Sequence, residues 1–69
     1  MATAKVIEII CEGESIEKAI VAGIKDATTT LEQVKQFDVD HIQTHIEHGK
    51  VAKYRVRGKL TFIVEKAKK

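Results

Sequence analysis

The stretch KQFDVDHIQTHIEHGK, residues 35–50, can be read as helix or strand, and that choice decides the fold. It holds all three histidines of the chain, His41, His45 and His48. On a helix these positions share one face, and three imidazoles there would point to a metal site. The β-branched content, the alternation and the turn signal HGK instead predict the first arm of a hairpin. The apolar phase switches along this arm, since Phe37 and Val39 are odd-numbered and Ile42 and Ile46 even-numbered. A bulge near Asp40 and His41, or burial of both faces at one end, would produce that switch, and the bulge is the preferred reading.

The second arm has the clearest pattern in the chain. From Ala52 to Val64 the even positions read Ala, Tyr, Val, Gly, Leu, Phe, Val, and the odd positions 53–61 read Lys, Arg, Arg, Lys, Thr. Period-2 alternation of this kind predicts a strand with one apolar and one basic face. Gly58 in its middle marks a bend or the close approach of another backbone. A turn centred on Gly49 places His45 opposite Lys53, Gln43 opposite Arg55 and His41 opposite Arg57, all on one face.

Upstream, residues 4–12 are rich in Val and Ile and predict a strand that stops at Gly13. Ser15 is placed to cap a helix, with Glu17 in its first turn. Ile16, Ala19, Ile20, Gly23, Ile24, Ala27, Leu31 and Val34 recur every three or four residues. That spacing predicts an amphipathic helix of roughly five turns. The run TTT at 28–30 lowers helix propensity by only about tenths of a kcal/mol per residue. The order is therefore β-α-β-β in one α+β domain spanning 1–69, with no linker or repeat and a short basic tail, KAKK. A right-handed crossover that leaves a gap makes the last strand central and antiparallel to both others. The helix would cover its even face and leave Lys53, Arg55, Arg57 and Lys59 uncovered.

A chain of 69 residues with one cysteine, no proline and no tryptophan buries only a modest core. Small domains commonly add disulfides, a metal or oligomerisation. Cys11 has no internal partner and reads as a small buried apolar residue of a reducing compartment. The start MATAKVIEII lacks a basic region followed by a long apolar run, and no segment approaches ~20 apolar residues. These features predict a soluble cytoplasmic protein without membrane partners. A net charge of +2 is too mild to imply nucleic acid, and the basic stripe lacks interleaved aromatics.

On a strand, His41 and His45 share a face but lie about 13 Å apart, too far to hold one zinc ion. His48 points away, beside the turn. The basic face leaves two readings open. One is a hydrated surface with carboxylates such as Glu8 or Asp38 as partners. The other is an anion site, because Arg55 and Arg57 converge there with His41, Gln43 and His45. No catalytic constellation emerges: serine occurs once, at the helix cap, and no Gly-rich phosphate loop is present. An enzyme is not expected.

Taken together, VIEII, GESIEKAI, QFDVDHIQTHIEHGKV and KYRVRGKLTFIVE run co-linear with the dodecin family, which the chain resembles over about residues 5–65. The resemblance implies a sheet partly wrapped around its helix, and a homododecamer that forms a hollow shell of cubic symmetry. It also implies a cytoplasmic flavin-binding protein that sequesters riboflavin or FMN without catalysing redox turnover. In the family the flavin ring stacks on a tryptophan at the start of the second strand and is hydrogen-bonded by a glutamine in the third. Here those places are held by Gln36 and Arg55. Gln36 lacks the broad π surface of an indole, whereas Arg55 can lie flat on a ring or hold a phosphate. The candidate ligand residues are thus Gln36, Arg55, His41, Gln43, His45 and Arg57. Two alternatives stand beside a flavin shell: a flavin-free assembly binding an anion such as a nucleotide or coenzyme A, and a purely structural assembly.

Overall fold

The computed structural model describes residues 3–64; the basic tail KAKK lies outside them. The element order is β1 (Thr3–Gly13), α1 (Ile16–Ala27), β2 (Val34–Glu47) and β3 (Lys50–Val64). The sheet order is β1-β3-β2, with both pairings antiparallel, so the long alternating strand is central as the pattern predicts.

The hairpin closes through a two-residue turn at His48 and Gly49, with φ of 53° and 76°. Left-handed backbone at both positions matches the right-handed twist of the flanking strands, and Gly49 meets it without a Cβ penalty. The turn is therefore shorter than one centred on Gly49, yet the expected pairs His45–Lys53, Gln43–Arg55 and His41–Arg57 all form. An irregularity between His45 and Ile46 accounts for this: Ala52 is an extra residue on β3 and restores the register. The pairing also skips Asp40 between Val39 and His41, which is the bulge that the change of apolar phase predicts. A third shift lies at Lys35.

The helix starts as expected. Ser15 is the N-cap, its hydroxyl oxygen accepting from the Lys18 backbone N–H at 3.0 Å, with Glu17 in the first turn. Replacing Ser15 with Ala orphans that N–H and should cost about 1 kcal/mol. The check is the urea midpoint at fixed protein concentration; an unchanged midpoint would show the cap to be idle.

The helix is shorter than the apolar stripe suggests, ending at Ala27 after 12 residues. Leu31 and Val34 do not belong to it: Leu31 lies in the connection and Val34 begins β2 opposite Phe62. The threonines are the cause. Thr28 and Thr29 donate their hydroxyls to the Lys25 and Asp26 carbonyls at 2.9 and 2.7 Å. The backbone then tightens, with Thr29 and Thr30 N–H bonding Asp26 O and Ala27 O three residues back. Gln33, with φ of 58°, turns the chain into β2.

The helix packs on β1 and β3. Cys11, Ala19, Val56, Leu60 and Phe62 are buried, with Ile9, Ile20 and Phe37 against them. Cys11 sits over Gly23, which leaves no room for a side chain there. Burial pushes its thiol pKa up, as expected of a small core residue rather than a reactive one. Gly58 is the close approach that the sequence allowed for: a Cβ there would run into the Asp38 carbonyl oxygen and lie 2.9 Å from Phe37 Cζ.

Cover by so short a helix is incomplete. Beyond its reach on the same side of the sheet, Val39 (43% exposed), Ile42 (50%), Ile46 (60%) and Val51 (50%) stand in solvent. The chain measures 58 × 20 × 13 Å, with a radius of gyration of 14.6 Å. A compact chain of this length would have about 11 Å. The hairpin reaches well beyond the body that the helix stabilises.

Candidate functional site on the outer face of the sheet

Strand alternation brings Lys53, Arg55, Arg57 and Lys59 of β3 to the face away from the helix. On that face β1 supplies Glu8 opposite Lys59 and Glu12 opposite Arg55. β2 supplies Gln36, Asp38, His41, Gln43 and His45. All six candidate residues therefore share one surface.

They do not form one cluster. Gln36 pairs with Thr61, six residues along β3 from Arg55, and therefore about 20 Å away. Its amide donates to both oxygens of Asp38, at 3.2 and 3.0 Å. It also lines a cleft of about 240 Å³ with Ile24, Val34, Lys35 and Phe37. Gln43, His45 and Arg55, together with Thr44, line a separate cleft of about 280 Å³. His41 Nδ1 and Arg57 Nη2 lie 3.5 Å apart, between these two groups. His45 faces Glu47, with 3.5 Å between Nε2 and Oε2. Among the described residues no group of three His, Cys, Asp or Glu side chains could hold a metal ion.

The cations are paired. Glu12 is the centre of the network: its Oε1 accepts from Lys53 Nζ at 3.1 Å, and its Oε2 accepts from Arg55 Nε at 2.8 Å and Nη2 at 2.7 Å. Lys53 first, and then Arg55, hold the Glu12 carboxyl below the usual carboxylate range. Lys59 donates to Asp40 Oδ2 at 3.0 Å, and that bond raises its pKa. Arg57 Nε lies 3.9 Å from Glu8 Oε2.

The hydrated reading of this face thus has its carboxylates, though not quite those expected. Glu8 contributes only a long contact. Asp38, although opposite Lys59, is turned toward Gln36; the bulge offers the Asp40 carboxylate to Lys59 in its place. Glu12 and Asp40 escape a sequence reading for different reasons. Glu12 needs the β1–β3 register, which no turn fixes, and Asp40 needs the bulge geometry.

Comparison with known proteins follows the fold closely. A family model described as Dodecin matches residues 3–65. Among solved structures the chain is similar to the dodecin from Streptomyces davaonensis at 27% identity, with a TM-score of 0.89 over 94% of this chain and 97% of that one. The dodecin from Streptomyces coelicolor is 28% identical, with a TM-score of 0.90 over 96% of each chain. A single-residue variant of the Thermus thermophilus dodecin is 28% identical, with a TM-score of 0.90 over 97% of this chain and all 100% of the other. No curated protein sequence gives a significant match.

Proposed function

The chain belongs to the dodecin family of small flavin-binding shell proteins, and on that premise we propose that it binds riboflavin or FMN between copies of itself, storing or buffering the flavin in the cytoplasm without catalysis. The observation that carries this reading is the division of the outer face. Gln36 and Arg55 stand about 20 Å apart along it, and the clefts they line, the first reaching round the sheet edge to Ile24 of the helix, hold only about 240 and 280 Å³. Ligand pockets usually span roughly 300–1,000 Å³. A flavin-sized ligand therefore needs walls from more than one chain. A homododecamer supplies them, bringing the Gln36 end of one copy toward the Arg55 end of another.

Assembly also answers the exposed apolar surface. Val39, Ile42, Ile46 and Val51 on the hairpin, and Val21 on the helix, are at least 43% exposed in the single chain. Burying them stabilises a subunit that is otherwise too extended to be self-sufficient. No helix among the described residues is long and apolar enough to cross a membrane.

Purified protein should carry flavin absorption bands, or quench riboflavin fluorescence at micromolar concentration, and its native mass should correspond to twelve copies. A dodecamer that quenches no flavin at that concentration retires the flavin reading. The alternative of a nucleotide or coenzyme A ligand is weaker, because Glu12 already offsets the charge of Arg55 and Lys53 and takes the Nε–Nη2 edge that a bidentate phosphate contact would use.

A further inference from the structure

Arg55 stands where the sequence suggested either a phosphate contact or a ring contact, and these uses draw on different parts of the guanidinium. Phosphate is gripped by the N–H donors, which lie in the guanidinium plane, whereas a ring stacks on its flat face. Glu12 occupies one edge, taking both Nε and Nη2, and holds Lys53 with its other oxygen. The flat faces of Arg55 are not consumed by these bonds; its outer Nη1–Nη2 edge also stays open, but its charge is offset by the bound carboxylate.

We propose that Glu12 sets the ligand class of the outer face: by holding the Nε–Nη2 edge of Arg55 and the Lys53 ammonium and offsetting their charge, it makes the face a platform for an uncharged planar ring, favours riboflavin over FMN and disfavours other phosphorylated ligands. The identity of the ring rests on the flavin reading; the exclusion of phosphate does not. Two further observations support it. The face carries Lys50, Lys53, Arg55, Arg57 and Lys59 against Glu8, Glu12, Asp38, Asp40 and Glu47, so apart from its histidines it has no net charge to draw in an anion. The Glu12 carboxylate is also tethered to the neighbouring strand, opposite Arg55. A tethered group competes at an effective concentration on the order of millimolar or higher. An incoming phosphate must outcompete it. Gln43, also opposite Arg55, adds a neutral amide suited to the donors and acceptors on a ring edge.

The test is calorimetric titration of the assembled protein with inorganic pyrophosphate, riboflavin and FMN, for wild type, Glu12→Gln and the Glu12→Gln/Arg55→Gln pair. Glu12→Gln should bind pyrophosphate at least tenfold more tightly than wild type, in a salt-sensitive way, and adding Arg55→Gln should abolish the gain. Its preference should shift at least tenfold from riboflavin toward FMN. Should Glu12→Gln fail to assemble, Glu12→Ser carries the same comparison. Equal pyrophosphate affinity in wild type and an assembled Glu12 variant overturns the proposal. If no form binds either flavin, the flavin reading falls, and the pyrophosphate comparison still decides the role of Glu12.

Discussion

Gly58→Ala is expected to abolish the folded subunit, or to leave it populated only within an assembly. A Cβ at this position would run into the Asp38 carbonyl oxygen and come within 2.9 Å of Phe37 Cζ. A flexible side chain could swing aside, but the carbonyl belongs to the backbone of the adjacent strand. Relief requires β2 to move off β3, which stretches ladder hydrogen bonds and lifts Phe37 from the core. Overpacking of this kind costs about 3 kcal/mol, and a core of this size supplies no more than roughly 3–5 kcal/mol. Gly49→Ala is the control. Nothing lies within 4 Å of that position, and only its positive φ resists a side chain, at a cost of about 1 kcal/mol. Urea midpoints and native masses, taken at one protein concentration, should rank the two variants in that order. If Gly58→Ala shifts the midpoint no more than Gly49→Ala does, close approach is not what selects glycine at position 58.

Gln36→Trp is expected to raise riboflavin affinity about a hundredfold. Gln36 is exposed on the outer face, and all it loses on substitution is a solvent-accessible hydrogen bond to Asp38. Stacking on an aromatic side chain is worth roughly 1–3 kcal/mol per nucleobase, and the upper part of that range corresponds to about two powers of ten. The chain has no tryptophan of its own. The introduced indole is thus the sole tryptophan fluorophore, and its quenching by added flavin reports contact directly. A gain below threefold in an assembled variant would mean that position 36 does not face the ring.

Much of this molecule can be read from local pattern. The period-2 alternation of residues 52–64 identifies β3 and both of its faces, and the phase switch at Asp40 points to a bulge over the alternative of burial on both faces, because side chains on a strand alternate. Ser15 caps its helix through contacts within a few residues. The pairing of His45, Gln43 and His41 with Lys53, Arg55 and Arg57 follows from a hairpin, whose register a short turn controls. Even there the turn is one residue shorter than the sequence suggests, and a bulge at Ala52 that the pattern does not reveal restores the register.

What lay beyond local pattern is what the candidate site depends on. The helix length turned on a competition at Thr28 to Thr30, where hydroxyls bonding backward to carbonyls outweighed an apolar stripe that continued to Val34. The place of Glu12 turned on β1 meeting β3 across the whole helical crossover, a register with no turn to set it. The sequence by itself determined the elements, their faces and the basic character of the outer surface, since these follow from alternation and capping over a few residues. Only the tertiary structure decided the register of β1 on β3, which brings Glu8 and Glu12 to the basic surface. That register is set across the whole helical crossover, and spacing along the chain carries no record of it.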